Sequence, residues 1–225
     1  YGFKKPSDIQ IKGIEAINTN KDCIIQSQSG TGKTATYLLG VLNNMTYNKL
    51  TQTIILTPTR ELANQVYDVA DNFCKYSKFK ISICIGGTDI SNSFSELRNT
   101  NLIIGTLGRI NHMINNKKIK TNSLKTIIID EADNLLIDGI NDDLNNILKN
   151  IPKETQKVLI SATLSNQVFS FSSKLMNDPI KILLKKSEIA VDLISQFYVD
   201  VEEEEFKFDV LLDLYNIMST TQTII

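Results

Sequence analysis

The fold of this 225-residue chain is decided by one stretch, Ser27-Gln28-Ser29-Gly30-Thr31-Gly32-Lys33-Thr34, which follows the apolar run Cys23–Gln26. Gly30 and Gly32 lack a Cβ, so the backbone amides of the turn can approach an anion closely. Lys33 opens an amphipathic stretch typical of a helix, whose first turn carries open N–H groups and the positive end of the helix dipole. A strand that leads through such a turn into a helix predicts a phosphate-binding loop.

Each part of this loop has a predicted task. Lys33 reaches the β and γ phosphates of a nucleotide, and the Thr34 hydroxyl is a ligand for Mg²⁺. The strict form of the pattern begins with glycine, where this chain has Ser27. A glycine-rich turn can arise by chance, but the strand before it and the helix after it favour phosphate binding. The predicted nucleotide contacts of the loop are Ser27, Gln28, Ser29, Gly30, Thr31, Gly32, Lys33 and Thr34.

The rest of the chain alternates short β-branched runs with amphipathic stretches. The runs 126–129 and 158–160 are continuously apolar, as is typical of strands buried on both faces of a sheet. This pattern predicts an α/β fold with a doubly wound, mostly parallel sheet that binds ligands at the carboxyl ends of its strands. The predicted strands are 23–26, 53–57, 81–85, 102–105, 126–130 and 157–161, and the predicted helices include 33–43, 60–75 and 142–149.

An acidic pair, Asp130-Glu131, comes at the end of one predicted strand. Asp130 can hold Mg²⁺ there through a water molecule, because Mg²⁺ keeps several of its waters. Glu131 can orient or deprotonate the attacking water. Such a pair can also cap the next helix, but a phosphate loop upstream favours metal and water chemistry. We therefore predict Lys33, Asp130 and Glu131 as catalytic residues and Thr34 with Asp130 as the metal ligands.

The composition limits the classes of function. A net charge of −1 and a sequence pI near 5.9 give no general attraction to nucleic acid, so any such contact must depend on locally placed donors. No apolar run approaches the roughly 20 residues that span a bilayer, and a membrane role is not expected. Cys23, Cys74 and Cys84 lie in apolar patterns, and with the single His112 they offer no zinc site. We interpret them as buried thiols of an intracellular protein, with a nuclear or a cytoplasmic location equally compatible.

The residues Asp130-Glu131-Ala132-Asp133 spell the name of the DEAD-box RNA helicases, and further stretches resemble motifs of that family. The stretch Gly2-Phe3-Lys4-Lys5-Pro6-Ser7-Asp8-Ile9-Gln10 is similar to its adenine-recognising Q motif. The resemblance implies that Gln10 pairs with the adenine edge, that Phe3 stacks on the ring, and that Lys5 belongs to the same site. Such a site should reject guanine, because its buried polar groups would be left without partners.

Three stretches resemble the RNA-contacting motifs of the family: Pro58-Thr59-Arg60-Glu61-Leu62-Ala63, Gly86-Gly87 and Thr106-Leu107-Gly108-Arg109. Hydroxyls, arginines and bare backbone suit contacts with phosphate and 2′-OH groups. Each stretch alone could be a surface arginine or a plain turn, but all three occur in register. The family usually has proline where this chain has Leu107, so we expect a weaker grip on RNA there. The predicted RNA contacts are Pro58, Thr59, Arg60, Gly86, Gly87, Thr106 and Arg109.

The stretch Ser161-Ala162-Thr163 is similar to the motif that couples hydrolysis to strand separation in the family, and we assign Ser161, Thr163 and Asp133 to this coupling. The resemblance runs the whole length of the chain and is closest to the translation initiation factor four-A group and its exon-junction and ribosome-biogenesis relatives. It implies a RecA-like fold and an ATP-dependent RNA helicase that uses ATP and Mg²⁺ to remodel RNA duplexes or RNA–protein complexes. The alternatives are an ATP-dependent RNA clamp with little unwinding, and an ATPase whose partner is not RNA.

The domain organisation is predicted from a polar break near Lys185. Residues 1–184 form the first RecA-like domain, 185–192 a linker, and 193–225 the beginning of a second RecA-like domain. Within that last part we expect strands at 194–201 and from 222, and a helix at 203–218. The family completes its γ-phosphate site with arginines of the second domain, so we expect this chain to bind nucleotide but to hydrolyse it poorly.

Overall fold

The computed structural model describes residues 4–28, 30–87, 97–137, 142–183, 195, 197–218 and 222–223. The chain divides into two compact units, residues 1–186 and residues 187–225. The division falls inside the predicted linker. That the second unit begins another RecA-like domain stays a prediction.

The first unit is built on a sheet of seven described strands, β1 (Cys23–Gln26), β2 (Thr53–Thr57), β3 (Ile81–Cys84), β4 (Leu102–Thr106), β5 (Thr126–Ile129), β6 (Gln156–Ser161) and β7 (Ile180–Ile182). Their order in the sheet is β3-β4-β2-β5-β6-β1-β7, and all of the described strand pairs are parallel. Parallel pairing requires crossover connections, and helices lie between β1 and β2, between β2 and β3 and between β6 and β7 along the chain. The predicted doubly wound α/β fold is confirmed.

Helices cover both faces of this sheet, because successive residues of a strand point to opposite sides. Ile24 and Ile54 belong to one buried cluster, whereas Ile25 and Ile55 belong to the other. Helices α1 to α3 pack on the second cluster, and α4, α6 and α7 pack on the first. The helices of the first unit are α1 (Asp8–Asn18), α2 (Lys33–Asn44), α3 (Arg60–Cys74), α4 (Leu107–Asn115), α5 (Ala132–Leu135), α6 (Asp142–Lys149) and α7 (Asn166–Leu175).

The three cysteines are buried free thiols, as predicted. Burial raises the pKa of Cys23 to about 12, with the neighbouring Asp22 charge acting in the same direction. These thiols are therefore packing groups and not nucleophiles. No helix in the described ranges combines the length and the apolar character needed to cross a membrane.

The register of the sheet brings the ends of distant segments to one edge. Gln26 pairs with Ser161, and Thr57 pairs with Thr106. Leu56 pairs with Ile129, so the residues after β2 and β5 also emerge side by side. The carboxyl edge of the sheet therefore collects every segment that carries a predicted site residue after a strand.

Strands β1 and β2 have their predicted bounds, whereas other strand ends differ by one residue. Strand β3 ends at Cys84 and not at Ile85, β4 runs on to Thr106, and β5 ends at Ile129 instead of Asp130. Strand β6 begins one residue earlier than predicted. The amide of Asp130 still donates to the Leu56 carbonyl at 2.9 Å, so the chain leaves the sheet gradually. Strand β7, which pairs with β1 at the edge of the sheet, was not among the predicted strands.

The second unit contains a short 3₁₀ turn, Glu204–Phe206, followed by helix α8 (Lys207–Ile217), close to the predicted helix 203–218. The strand predicted at 194–201 is wrong for residue 195 and residues 197–201, which have no regular structure; residues 194 and 196 lie outside the described ranges. Gln222 and Thr223 are not in a strand either, and residues 224–225 lie outside those ranges. An apolar pattern forms a strand only against a pairing partner.

Candidate nucleotide and RNA site

The glycine-rich turn has the geometry that its sequence predicts. Gly30 and Gly32 adopt φ values of 81° and 87°, in the left-handed region that favours glycine. Gly32 is the N-cap of α2 and makes no side-chain capping hydrogen bond. The first N–H groups of the helix are therefore open to an anion, and Lys33 stands at the same helix start.

Ser27, which replaces the expected glycine, braces this turn. Its hydroxyl hydrogen-bonds with the Thr31 hydroxyl, which in turn donates to the Gln28 carbonyl at 2.8 Å. The Ser27 amide donates to the Ser161 carbonyl at 3.0 Å, which fastens the turn to β6. The loop is thus held by its own hydroxyls. Ser29 lies outside the described residues.

Asp130 is a buried carboxylate at the carboxyl end of β5, with 8% of its surface exposed. Its Oδ2 accepts a hydrogen bond of 2.8 Å from the Tyr37 hydroxyl, and its Oδ1 accepts one of 3.0 Å from the Glu131 amide. Burial raises the pKa of Asp130, while these two hydrogen bonds and the charge of Lys33 act in the opposite direction. The carboxylate is fixed in position before any ligand arrives.

The donors at this place fit Mg²⁺. Magnesium prefers oxygen ligands and retains water, and Asp130 and Thr34 offer one carboxylate and one hydroxyl. Thr34 lies in the first turn of α2, three residues before Tyr37, whose hydroxyl donates to Asp130 at 2.8 Å. Asp130 and Thr34 would therefore be the protein groups that hold the ion, with Lys33 close enough for its charge to act on Asp130.

Glu131 has an unusual backbone conformation. With φ at 48° and ψ at 52° it adopts the left-handed region and is the N-cap of α5, a strained arrangement for a residue with a Cβ. Its Oε2 accepts a hydrogen bond of 2.9 Å from Asn134. Asn134, three residues further along the chain, thus holds the Glu131 carboxylate at the start of α5.

Asp133 joins α5 to the segment after β6. Its Oδ2 accepts hydrogen bonds from the Thr163 amide at 3.1 Å and from the Thr163 hydroxyl at 2.9 Å. The Ser161 hydroxyl donates to the Thr163 carbonyl at 2.7 Å. Partial burial acts to raise the pKa of Asp133, but the hydrogen bonds from Thr163 and Ser161 outweigh it and hold this pKa below its usual value. The structure thus brings together the three residues assigned to coupling.

The residues assigned to adenine lie at the start of α1. Gln10 and Ser7 form a capping box, in which the Ser7 amide donates to Gln10 Oε1 at 2.9 Å. Gln10 Nε2 lies against Gly32, where any Cβ would collide with it. The side chain therefore connects α1 to the phosphate loop. A cavity of about 150 Å³ adjoins it, lined by Lys4, Lys5, Pro6, Gln10, Ile14, Ala35 and Leu39. Phe3 lies outside the described residues.

The predicted RNA contacts gather around the turn after β3. A Cβ at Gly86 would lie 3.1 Å from a guanidinium nitrogen of Arg60, and one at Gly87 would lie 2.9 Å from the other. Gly87 also has a φ of 87°, which again favours glycine. Burial raises the pKa of Cys84, at the end of β3, to about 11, and the nearby charge of Arg109 acts against it. Arg60 and Arg109 therefore both lie near this turn.

The remaining RNA-motif residues stand where strands pass into helices. Thr59 caps α3 by accepting from the Leu62 amide at 3.2 Å, and Pro58 connects it to β2. Thr106 is the N-cap of α4, and Leu107 is the first residue of that helix. Leu107 is 8% exposed and belongs to the core, so its burial anchors the start of α4. A proline at this position would fix the helix start through its ring instead.

Sequence reasoning missed three residues that contact this site: Ser7, Tyr37 and Asn134. Ser7 three residues before Gln10 is a capping-box pattern that could have been recognised. Tyr37 lies three residues after Thr34, on the same face of α2, but nothing in the sequence shows that it reaches Asp130. The sequence around Asn134 is equally compatible with a solvated residue of a helix.

Comparison with known families gives one match that covers most of the chain. The model described as DEAD/DEAH box helicase matches residues 7–171. The ATP-dependent RNA helicase eIF4A of Candida albicans is 42% identical over 100% of this chain, which covers 57% of that protein. The eukaryotic initiation factor 4A of Caenorhabditis elegans is 39% identical over 100% of the chain and 56% of its own length. The chain thus spans little more than half of the curated relatives that it matches.

Solved structures show the same relationship. A DEAD box protein from Methanococcus jannaschii superimposes with a TM-score of 0.79 at 35% identity, over 95% of this chain and 58% of that one. A Dbp5 variant of S. cerevisiae, bound to RNA and ADP BeF3, has a TM-score of 0.79 at 32% identity, over 96% of this chain and 56% of that one. The predicted RecA-like fold and the resemblance to the initiation factor four-A group are confirmed. The chain belongs to the DEAD/DEAH box helicase family.

Proposed function

We propose that the chain forms the nucleotide-binding half of an ATP-dependent RNA helicase, which couples binding and hydrolysis of ATP to remodelling of RNA duplexes or RNA–protein complexes. One observation carries this proposal: a single sheet edge holds both the nucleotide residues and the arginine-flanked glycine turn. Its strands pair directly, with Thr57 next to Thr106 and Leu56 next to Ile129. A displacement of the nucleotide residues can therefore be transmitted to the glycine turn through rigid neighbouring strands.

The nucleotide half of the proposal assigns one role to each group. The α2 amides and Lys33 bind the phosphates, and Gln10 recognises adenine beside the 150 Å³ cavity. Thr34 and Asp130 hold Mg²⁺, which when bound neutralises charge on the phosphates. Glu131, whose carboxylate accepts a hydrogen bond from Asn134, orients the attacking water.

The RNA contacts in this proposal come from hydrogen-bond donors that do not distinguish one base from another. Two arginines, the bare backbone of Gly86-Gly87 and the N-termini of α3 and α4 suit phosphate and 2′-OH groups. The relative Dbp5 is bound to RNA and ADP BeF3 in its structure, which supports RNA as the partner here. We expect contacts independent of base sequence, and selection of the target by protein partners. An intracellular location, nuclear or cytoplasmic, accords with ATP use and with the buried free thiols.

Hydrolysis by the 225-residue chain alone is expected to be slow. The relatives are nearly twice as long as the part that this chain covers, and the family resemblance implies that arginines of a second domain complete the γ-phosphate site. Cations at that position stabilise the transition state for phosphoryl transfer, and their loss costs roughly a thousandfold or more in rate. Rapid RNA-stimulated turnover by this chain would contradict the two-domain assignment.

The test uses the full-length protein that contains this chain. ATP turnover is measured against single-stranded RNA, together with separation of a short RNA duplex. Lys33→Ala should abolish turnover because it removes a phosphate contact, whereas Lys174→Ala, an exposed lysine of α7, should leave it unchanged. Unchanged turnover in Lys33→Ala would contradict the loop assignment. If the protein stays on RNA with ATP but separates no duplex, the clamp replaces the remodelling enzyme.

A further inference from the structure

Tyr37 is a polar side chain placed deep in the first unit beside the proposed metal ligands. It lies on α2, one helical turn after Lys33, and no part of it is exposed. Its hydroxyl donates to Asp130 Oδ2 at 2.8 Å, a contact between residues 93 positions apart. A buried tyrosine needs a partner for its hydroxyl, but nothing requires that partner to be the carboxylate at the nucleotide site.

The contact between Tyr37 and Asp130 lies inside the core. Tyr37 has no exposed surface, and Asp130 is 8% exposed. The other carboxylate oxygen of Asp130, Oδ1, accepts a hydrogen bond of 3.0 Å from the Glu131 amide. Each oxygen of this carboxylate thus has one described donor, and the donor to Oδ2 is the tyrosine hydroxyl.

We propose that Tyr37 is a positioning residue of the magnesium site, whose hydroxyl donates to Asp130 and fixes one oxygen of its carboxylate. The inference rests on the proposed function and deepens it. Groups around a metal site commonly hold its ligands in orientation through hydrogen bonds. Tyr37 and the Glu131 amide hold the two oxygens of Asp130 in this way.

Phenylalanine at this position would fill nearly the same space but could not donate to Asp130. The buried carboxylate would then keep the Glu131 amide as its one described donor. A buried carboxylate oxygen without a donor is costly, so the side chain is expected to move from its position. Such a movement weakens its contact with a cation but does not touch the contacts of Lys33 and the α2 amides with phosphate.

A positioning role and a simple packing role for Tyr37 predict different results. If the Tyr37 hydroxyl serves only as the hydrogen-bond donor that the buried Asp130 needs, it affects folding stability. It then has no effect on how nucleotide binding depends on magnesium. If it positions the metal ligands, the magnesium requirement must change while nucleotide binding without magnesium does not.

The experiment measures ATP binding by the 225-residue chain by calorimetry, across a magnesium titration and in EDTA. Tyr37→Phe should raise the magnesium concentration for half-maximal tight binding by about tenfold, as expected for loss of a hydrogen bond to a charged group. Affinity in EDTA should change less than about twofold, since the phosphate contacts remain. The matched control is Tyr67→Phe, a tyrosine of α3 packed against the same core cluster, for which neither value should change.

A double-mutant cycle tests the pathway. In an Asp130→Asn background the hydroxyl has no carboxylate to hold, so Tyr37→Phe should shift the magnesium requirement by less than about twofold. An unchanged magnesium requirement in Tyr37→Phe alone would overturn the inference and leave the proposed function intact, as would an equal loss of affinity with magnesium and in EDTA. Failure of the parent chain to bind ATP under either condition would overturn both.

Discussion

Two aspartates three positions apart, Asp130 and Asp133, stand in opposite environments. Asp130 is buried at the end of β5, where desolvation raises its pKa. Asp133 is half-buried at the start of α5, where hydrogen bonds from Thr163 and Ser161 outweigh desolvation and lower its pKa. Burial of Asp130 therefore opposes its charged form, whereas the hydrogen bonds of Asp133 favour its charged form and stabilise the fold.

The two carboxylates therefore suit different roles. Burial removes water from Asp130, which would strengthen its attraction for the Mg²⁺ that we propose at this site. Asp133 accepts two hydrogen bonds from Thr163 and so connects α5 to the segment after β6. Glu131 follows Asp130 with a left-handed backbone and is the N-cap of α5.

The largest expected effect concerns the residue between the two aspartates. Glu131→Gln keeps the size and the hydrogen bond from Asn134 but removes the group that activates water, so hydrolysis by the full-length protein should fall by about a hundredfold or more. ATP affinity should stay within about twofold, because no phosphate contact is lost. Single-turnover hydrolysis and equilibrium binding measure the two quantities, with the exposed Glu154→Gln as control. A variant that loses ATP affinity instead would show that Glu131 binds the nucleotide and does not act on water.

A smaller effect is expected at Asp133. Asp133→Ala removes both hydrogen bonds to Thr163, so duplex separation by the full-length protein should fall by about tenfold, the scale of a lost charge-assisted contact. Magnesium-dependent ATP binding should persist because Asp130 is untouched. Thr163→Ser retains both the amide and a hydroxyl and is the matched control. Equal loss of activity in the two variants would mean that the Asp133–Thr163 contact is not what matters.

The smallest effect concerns the stability of the empty chain at different pH values. The raised pKa of Asp130 means that its folded form binds a proton more tightly than the unfolded chain does, so stability falls as pH rises from about 4 through the folded pKa. Asp130→Asn should therefore raise the free energy of unfolding by about 1 kcal/mol at pH 7, with little effect near pH 4. Urea unfolding at several pH values measures this difference.

Asp133 should behave in the opposite way. Its lowered pKa contributes stability above the unfolded pKa of about 4, and this contribution is lost as pH falls through the folded value. Asp133→Asn should therefore destabilise the chain at pH 7 by about 0.5 kcal/mol, since the amide oxygen can still accept from Thr163, and the difference should vanish at low pH. Changes of the same sign in both asparagine variants would contradict the contrast between the two sites.

Much of the fold could be predicted because its strands are buried on both faces. Continuous runs such as Thr126–Ile129 have no exposed face to accommodate polar residues, and so they are recognisable in isolation. Strand ends were less predictable, as Ile85 and Asp130 show, because an apolar pattern does not show at which residue the hydrogen bonds between strands cease. The tail failed for a related reason: residues 197–201 have an apolar pattern but no strand partner among the described residues.

The site residues also fall into two groups, those that the sequence predicts and those that it does not. Loop residues such as Gly32 and Lys33 could be proposed from the sequence because their predicted task is local: a turn, a helix start and a charge. The contacts of Tyr37 and Asn134 could not, since a side chain becomes part of the site only through the distance to its partner. The hydroxyl of Tyr37 finds a carboxylate 93 positions away along the chain.

The sequence by itself determined the class of fold, the phosphate loop, the acidic pair and the family, because short-range patterns and spacing encode all of these. The tertiary structure alone decided the state of each carboxylate. Desolvation and hydrogen bonding depend on which elements pack together, and they made Asp130 a buried group held by Tyr37 and Asp133 a partner of Thr163.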